Sequence, residues 1–356
     1  MRAYLAEHRH DLAVKARREY PEAPNVEGTP LLAPPGWLPD EPVPLDDIAL
    51  RLDPGAKFDG VTGTEDVAQD VLPVRPDGSR YRNYSDAVAE LATPSTFENR
   101  PTYRLADAEL RAELRMGFGL GGYFQSLDVG AACAHEYASA SLGETTEQPL
   151  RRAVGDPCDP ARRPVNVAIS ALVVRHNRTA GQSTFLMHRR DPAAVGHAGG
   201  MYQVVPVGVF QPTGSQPSNV RNDFSLWWCI VREFAEELLG EPERHGQADP
   251  TDYAAWPTAS RLTEALGTGR LHTYCLGLGV DPLTLATDLL AVVVIDAPVY
   301  DELLAGLVAI NPEGTILPAL RFTADTVERF AGHEPTQAAG AALLRLAWKH
   351  RHHLLG

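Results

Sequence analysis

The feature that most constrains the fold of this chain is an alternation of strand and helix patterns that begins after Pro164. Residues 165–174 (VNVAISALVV) are apolar and β-branched, which is typical of a buried strand. The same reasoning predicts further strands at 184–188, 202–210, 271–280 and 289–295, and helices at 224–239 and 335–355. Because strands interrupted by helices pack in layers, we predict an α/β (α+β) domain over residues 160–356, with a mixed β-sheet between helices.

The first half of the chain has a different composition. Helical patterns occupy residues 1–20, 84–92 and 121–140, but residues 21–80 are rich in Pro, Gly and Asp, which favours loops. We therefore predict a loop-rich N-terminal extension or domain of unknown fold, with short helices, over residues 1–155.

Three motifs in that half carry little functional information. Residues 117–122 (GFGLGG) lack the Lys-Ser/Thr pair that completes a phosphate loop, so we predict a loop or turn. Residues 97–105 (FENRPTYRL) have the character of a ligand-contacting loop or, as we slightly favour, of an interdomain contact. His135-Glu136 is not the start of a zinc-protease motif, because residue 139 is Ser rather than His.

Charge and composition exclude several classes of protein. The net charge of −14 argues against a nucleic-acid footprint, which needs clustered Lys and Arg, but a divalent cation can bring a small phosphorylated ligand to an acidic protein. No apolar run approaches the roughly 20 residues that span a bilayer, and residues 1–20 lack the apolar core of a secretory signal. We therefore expect no membrane association, a cytoplasmic location and four reduced, mostly buried cysteines.

The most informative run is Arg232-Glu233-Phe234-Ala235-Glu236-Glu237 in the predicted helix at 224–239. Glu233, Glu236 and Glu237 stand at i, i+3 and i+4, so an α-helix places their three carboxylates on one face. Such a face is either solvated or neutralised by a cation, and carboxylate oxygens favour Mg²⁺ or Mn²⁺. Arg232 is placed to pair with an acid and hold it in a fixed orientation.

This run resembles the core of the Nudix box, in which Gly, five residues, Glu and seven residues precede Arg-Glu-hydrophobic-any-Glu-Glu. The loop before the acidic helix in that family matches Pro206-Val207-Gly208 here. Counting back from Arg232 places the family's upstream Glu on Phe224 and its Gly on Ser218. With Gly208 as the anchor, the loop carries about ten extra residues, so the lead-in departs from the pattern while the acidic core is intact.

The resemblance implies a Nudix-like fold and a metal-dependent attack of water on a pyrophosphate bond. It assigns Glu233, Glu236 and Glu237 as metal ligands for Mg²⁺ or Mn²⁺, and Glu233, Glu237 and Arg232 as catalytic residues. Glu233 is either the third ligand or the base, because family members differ. Where the base comes from a later loop, the local candidates are Glu302 and Glu313.

A phosphorylated substrate also needs positively charged side chains and a stretch of backbone that it can approach closely. His188, Arg189 and Arg190 end a predicted strand and, with Gly208, are the candidate substrate-binding residues. The basic run serves equally well as a strand terminus that balances the acidic helix. His197 is favoured as a loop histidine over a catalytic one.

Three functions follow from the resemblance. The first is a Mg²⁺-dependent hydrolase of a nucleoside diphosphate derivative or related organic pyrophosphate, and a homodimer is common in that family. The second is a catalytically silent Nudix-like ligand-binding or regulatory protein, which the departures at Ser218 and Phe224 favour. The third is an isomerase on the same scaffold, which ranks last because no Cys stands beside the acids.

Overall fold

The computed structural model describes residues 1–94, 97–144, 147–191, 199–311 and 314–356. Its helices are α1 (Arg2–Ala16), α2 (Asp66–Gln69), α3 (Tyr84–Leu91), α4 (Tyr123–Ser141), α5 (Pro149–Val154), α6 (Pro217–Asn222), α7 (Leu226–Glu233), α8 (Pro257–Gly267), α9 (Ala297–Leu303), α10 (Ala324–Glu328), α11 (Ala338–Lys349) and α12 (Arg351–Leu355). Turns of 3-10 helix lie at Arg17–Glu19, Pro35–Trp37 and Leu45–Asp47, and π-helical turns at Phe234–Leu238 and Arg329–His333.

The strands are β1 (Val43–Pro44), β2 (Ala49–Leu52), β3 (Pro101–Glu109), β4 (Arg115–Gly122), β5 (Val167–Asn177), β6 (Gln182–Phe185), β7 (Met187–Arg190), β8 (Tyr202–Val204), β9 (Val207–Val209), β10 (Leu271–Val280), β11 (Thr287–Asp296), β12 (Ile310–Asn311), β13 (Gly314–Ile316) and β14 (Leu320–Arg321). In the described part of the chain they form a seven-stranded, a four-stranded and a three-stranded sheet.

The largest sheet is mixed, with the order β1-β10-β11-β5-β6-β14 and with β9 also paired to β5. β5 runs parallel to β11 and antiparallel to β6 and β9. Every residue of β11 except the last is buried, so both faces of that strand are covered. The helices α7, α9 and α11 pack against β5, and the predicted mixed α/β class is confirmed.

Residues from the first half of the chain contribute to the same sheet and core. β1 pairs with β10, placing Val43 opposite Cys275. The backbone N–H of Leu105 donates to the carbonyl of Val165 at 2.9 Å, and that of Tyr103 donates to Phe210 at 3.2 Å. One cluster of buried apolar side chains includes residues of both halves. The division into 1–155 and 160–356 stays a prediction.

The prediction of loops at 117–122 is wrong, because these residues belong to β4, which pairs with β2 and β3. The glycines allow neighbours to approach the strand closely. A Cβ at Gly119 would lie 2.8 Å from the ring of Phe58, and one at Gly117 would lie 2.3 Å from Asp107 Oδ2. The stretch at 97–105 is likewise half strand, since β3 begins at Pro101.

The predicted strand at 202–210 divides at Pro206, which has no N–H to donate to a sheet. β8 pairs with β7 on one side of the proline, and β9 pairs with β5 on the other. The chain therefore passes from the small sheet to the large one at this point. The predicted closing helix also divides, into α11 and α12.

Two further predictions concern the thiols and the membrane. Cys133, Cys158, Cys229 and Cys275 are all free and buried, as the sequence predicts. Among the described residues, the structure has no helix with the length and apolarity needed to cross a membrane.

A buried carboxyl group lies inside the large sheet. Asp288 on β11 is 7% exposed, and its Oδ1 accepts a hydrogen bond from Ser170 Oγ at 2.8 Å. Gln203 Nε2 donates to the same Ser170 oxygen at 3.3 Å. Burial raises the pKa of Asp288 from its usual 3.8 to about 7. The folded state therefore holds this proton more tightly than the unfolded state does.

We expect Asp288→Asn to stabilise the fold above neutral pH. The contribution of a raised carboxyl pKa is fully present below about pH 4 and is lost as the pH rises through about 7. An amide keeps the acceptor for Ser170 without the buried charge. Urea unfolding at pH 8 should show the variant more stable than the parent by about 1–3 kcal/mol, with a smaller difference at pH 5. The exposed Asp249→Asn is the matched control, and an equal effect there would contradict the prediction.

Candidate functional site

The acidic helix is capped at both ends, but it is not a regular α-helix throughout. Ser225 is the N-cap, and its Oγ accepts the N–H of Trp228 at 3.3 Å. Gly240 has a φ of +67° and follows the last helical turn as a C′ glycine. Between them, α7 continues into the π-helical turn Phe234–Leu238. This turn contains two of the three acids, so the α-helical spacing assumed for them does not hold throughout.

The carboxyl group of Glu233 lies directly against the backbone of β9. A Cβ added to Gly208 would stand 1.9 Å from Glu233 Cδ and 2.1 Å from its Oε1. Any side chain at position 208 would therefore occupy the space that the carboxylate fills. Gly208 therefore makes room for an acid in this structure, and its predicted role in substrate binding stays a prediction.

Glu237 reaches the neighbouring residue of the same strand. The N–H of Val207 donates to Glu237 Oε1 at 2.7 Å, in a part of the site where Glu237 is only 5% exposed. Its other oxygen, Oε2, lies 3.8 Å from His188 Nδ1. Glu236 is half-buried, as is Glu233. The structure therefore brings Glu233 and Glu237 to consecutive residues of β9.

The three basic residues of β7 have different environments. His188 is buried, and burial, followed by the charge of Arg190, lowers the pKa of its imidazole to about 4. It is therefore neutral at physiological pH and does not supply a positive charge. Side chains alternate along a strand, so Arg190 lies on the face of His188, and the exposed Arg189 lies on the opposite face.

The donor atoms match the chemistry of a hard divalent cation, although the three acids do not converge as their side chains lie. Within the described ranges, no group of three His, Cys, Asp or Glu side chains stands close enough to hold a metal ion. Glu233 and Glu237 instead approach the adjacent residues Gly208 and Val207. Carboxylate oxygens are the type of ligand that Mg²⁺ or Mn²⁺ prefers.

The side chain of Arg232 lies in a buried polar network. Its guanidinium donates to Tyr253 Oη and to the carbonyl of Gln211 at 2.7 Å. Tyr253 in turn donates to Asp223 Oδ1 at 2.8 Å, and Arg232 Nη1 lies 3.9 Å from the same oxygen. These contacts join Arg232, in the last turn of α7, to Asp223, which precedes that helix. Its predicted catalytic role stays a prediction.

Asp223 and Tyr253 are the site residues that the sequence analysis missed. The box pattern places a Glu at position 224, where this chain has Phe, and Asp223 supplies a carboxylate one residue earlier. Phe224 instead stacks on Phe210, with ring centroids 5.6 Å apart. An acid one residue before position 224, where the box pattern has Glu, could have identified Asp223 from the sequence. Nothing in the spacing indicates Tyr253, which lies 30 residues from Asp223.

The extra residues before the acidic helix are ordered by the same aspartate. The N–H and Oγ1 of Thr213 both donate to Asp223 Oδ2 at 2.7 Å. Residues 217–222 form α6, in which Asn219 Nδ2 donates to the carbonyl of Gln247 at 3.1 Å. The insertion is therefore a folded connection with its own buried hydrogen bonds.

The candidate bases have separate locations. Glu302 is exposed on α9 and pairs with Arg261 at 3.1 Å. Glu313 and His197 lie outside the described residues. The described part of the site therefore leaves Glu233 as the base candidate that is seated against β9.

We expect Gly208→Ala to displace the Glu233 carboxyl group, because the new Cβ overlaps it. The variant should lose about 1–3 kcal/mol of unfolding free energy and bind Mn²⁺ about tenfold more weakly, measured by calorimetry. Gly306→Ala is the matched control, since its Cβ meets no atom within 4 Å. Parental Mn²⁺ affinity in the Gly208 variant would contradict the predicted role of Glu233.

We expect Tyr253→Phe to destabilise the fold by about 1–3 kcal/mol, because it leaves buried Asp223 and Arg232 without the hydroxyl that joins them. Chemical denaturation measures the change. Tyr274→Phe removes a hydroxyl from a half-buried tyrosine on β10 and should change stability by less than about 0.5 kcal/mol. Equal effects of the two substitutions would contradict the predicted stabilising role of this hydrogen-bond network.

Comparison with known proteins finds similarity to solved structures. No protein-family model matches the chain, and no curated protein matches its sequence. Among solved structures, the chain is similar to the crystal structure of a Nudix hydrolase from Alicyclobacillus acidocaldarius, with 16% sequence identity and a TM-score of 0.28. The match covers 51% of this chain and 90% of that one.

Proposed function

We propose that the chain is a divalent-cation-dependent hydrolase of a nucleoside diphosphate derivative or a related organic pyrophosphate. The observation that carries the proposal is the seating of Glu233 and Glu237 on Gly208 and Val207 of β9. This arrangement presents carboxylate oxygens next to the loop that the Nudix resemblance assigns to the substrate.

Each residue has a role that its contacts support. Glu233, Glu236 and Glu237 would hold Mg²⁺ or Mn²⁺, which when bound neutralises phosphate charge and lowers the pKa of water. The Val207 N–H fixes one oxygen of Glu237, so the carboxylate keeps its orientation. Glu233 is the candidate base or a further ligand.

The basic side chains have different roles in the binding of an anion. Arg190 supplies a positive charge on the same face of β7 as His188. His188 on that face lies close to Glu237. His188 is neutral and stands beside the carboxylate without opposing a phosphate or a metal ion. Arg232 acts through its buried network and does not contact the substrate.

We expect Glu237→Gln to reduce hydrolysis by at least about 100-fold, because the amide keeps an acceptor for Val207 N–H but loses the charge that holds the cation. Turnover is measured with Mg²⁺ or Mn²⁺ against ADP-ribose and a panel of nucleoside diphosphate derivatives. Glu233→Gln should show a comparable loss. The exposed Glu264→Gln on α8 is the matched control, and parental activity in the Glu237 variant would refute the hydrolase proposal.

A catalytically silent ligand-binding protein is the second candidate. It is favoured by the absence, among the described residues, of three acids grouped around one point. On this alternative, the parent protein hydrolyses no member of the panel with either metal, yet binds one of them saturably. Hydrolysis that requires Glu237 excludes it.

A further inference from the structure

A cavity lies in the first half of the chain, and no residue of the acidic helix lines it. Its volume is about 760 Å³, and all of its lining residues lie between Met1 and Pro149. The walls come from the segment that follows α2, from α3 and from α4. Ligand sites of proteins have volumes of roughly 300–1,000 Å³, so this cavity is large enough for a small organic molecule.

The lining is mainly apolar. The segment after α2 contributes Val71 and Leu72, and α3 contributes Ala87, Val88 and Leu91. Leu91 is 59% exposed although it is a large apolar residue. Apolar surface left open in a concave site favours an apolar occupant, because covering it removes that surface from water.

His135 provides a polar group in this wall. The imidazole lies edge-on to the ring of Tyr84, with centroids 6.0 Å apart. Its Nδ1 is buried and has no hydrogen-bond partner among the described residues. Burial lowers the pKa of His135 to about 4, so the ring is neutral at physiological pH and has one donor and one acceptor nitrogen.

The charges around the cavity select against anions. Among the described residues, Asp70, Glu144 and Glu147 line it together with the cationic side chain of Arg2, and Asp70 pairs with Arg80. Glu136 also lines the cavity, but its two oxygens accept the N–H groups of residues 150 and 151 at 2.9 Å. The excess of carboxylates disfavours fatty acids and other anionic amphiphiles.

We propose that this cavity binds a small uncharged hydrophobic molecule carrying one hydroxyl group. Its apolar body would lie on the α3 residues Ala87, Val88 and Leu91, and its hydroxyl would bond to the imidazole of His135. A hydroxyl both donates and accepts, so it suits either tautomer of the ring. The proposal does not depend on hydrolysis, because no residue of the acidic helix lines this cavity.

The test uses the full chain in EDTA, so that binding at the acidic helix does not contribute. Nile red, an uncharged hydrophobic dye, is titrated by fluorescence and should bind saturably at one site. Leu91→Ser should weaken binding about fivefold, because it removes apolar surface from the wall. Ile310→Ser is the matched control, since Ile310 is 73% exposed and does not line the cavity.

The hydroxyl is tested by displacement of Nile red with 2-naphthol and with naphthalene. The parent protein should prefer 2-naphthol by about 2–10-fold, and His135→Phe should abolish this preference while naphthalene still binds. If the His135 variant does not fold, the Nile red affinities of Leu91→Ser and Ile310→Ser test the proposal. Absence of saturable dye binding, equal affinities of that pair, or a naphthol preference that persists in His135→Phe would overturn the proposal.

Discussion

The site depends on the contact between the acidic helix and the free edge of β9. That strand pairs with β5 along one edge, and the N–H of Val207 on its other edge donates to Glu237. A buried N–H and a buried carboxylate would each be costly alone, and one charge-assisted hydrogen bond satisfies both. Gly208, the next residue, has no side chain, so Glu233 can approach the face of the strand at that position. Strand pairing and acid placement therefore constrain each other.

The charged side chains around this contact have different partners. Three carboxylates lie on the helix, and Arg232, the nearest cation in sequence, contacts Tyr253, Gln211 and Asp223. His188 is neutral beside Glu237. Carboxylate oxygens are the ligands that Mg²⁺ or Mn²⁺ prefers in proteins, and this preference is the physical basis of the proposed cation.

The sequence predicts best what depends on local pattern. Strands β5, β10 and β11 lie where apolar, β-branched runs predict them. The π-helical turn and the glycine-rich strand β4 could not be found in this way, because they depend on which distant residues pack against them. Gly119 faces Phe58, and Tyr253 joins Asp223 to Arg232 across 30 and 21 residues. Such partners have no fixed spacing in the chain.

The two halves of the chain form one packed structure, which has a consequence for both candidate sites. The helix α4 carries His135, and the carbonyls of Gly122 and Tyr123 at its start accept hydrogen bonds from Asn166, the residue before β5. Buried side chains from α4 and β5 belong to the same apolar cluster. Because the halves share this core, a ligand that binds the folded cavity stabilises more than the wall that it touches. A hydrophobic ligand in the first half would therefore raise the free energy of unfolding of the sheet that supports Glu233 and Glu237.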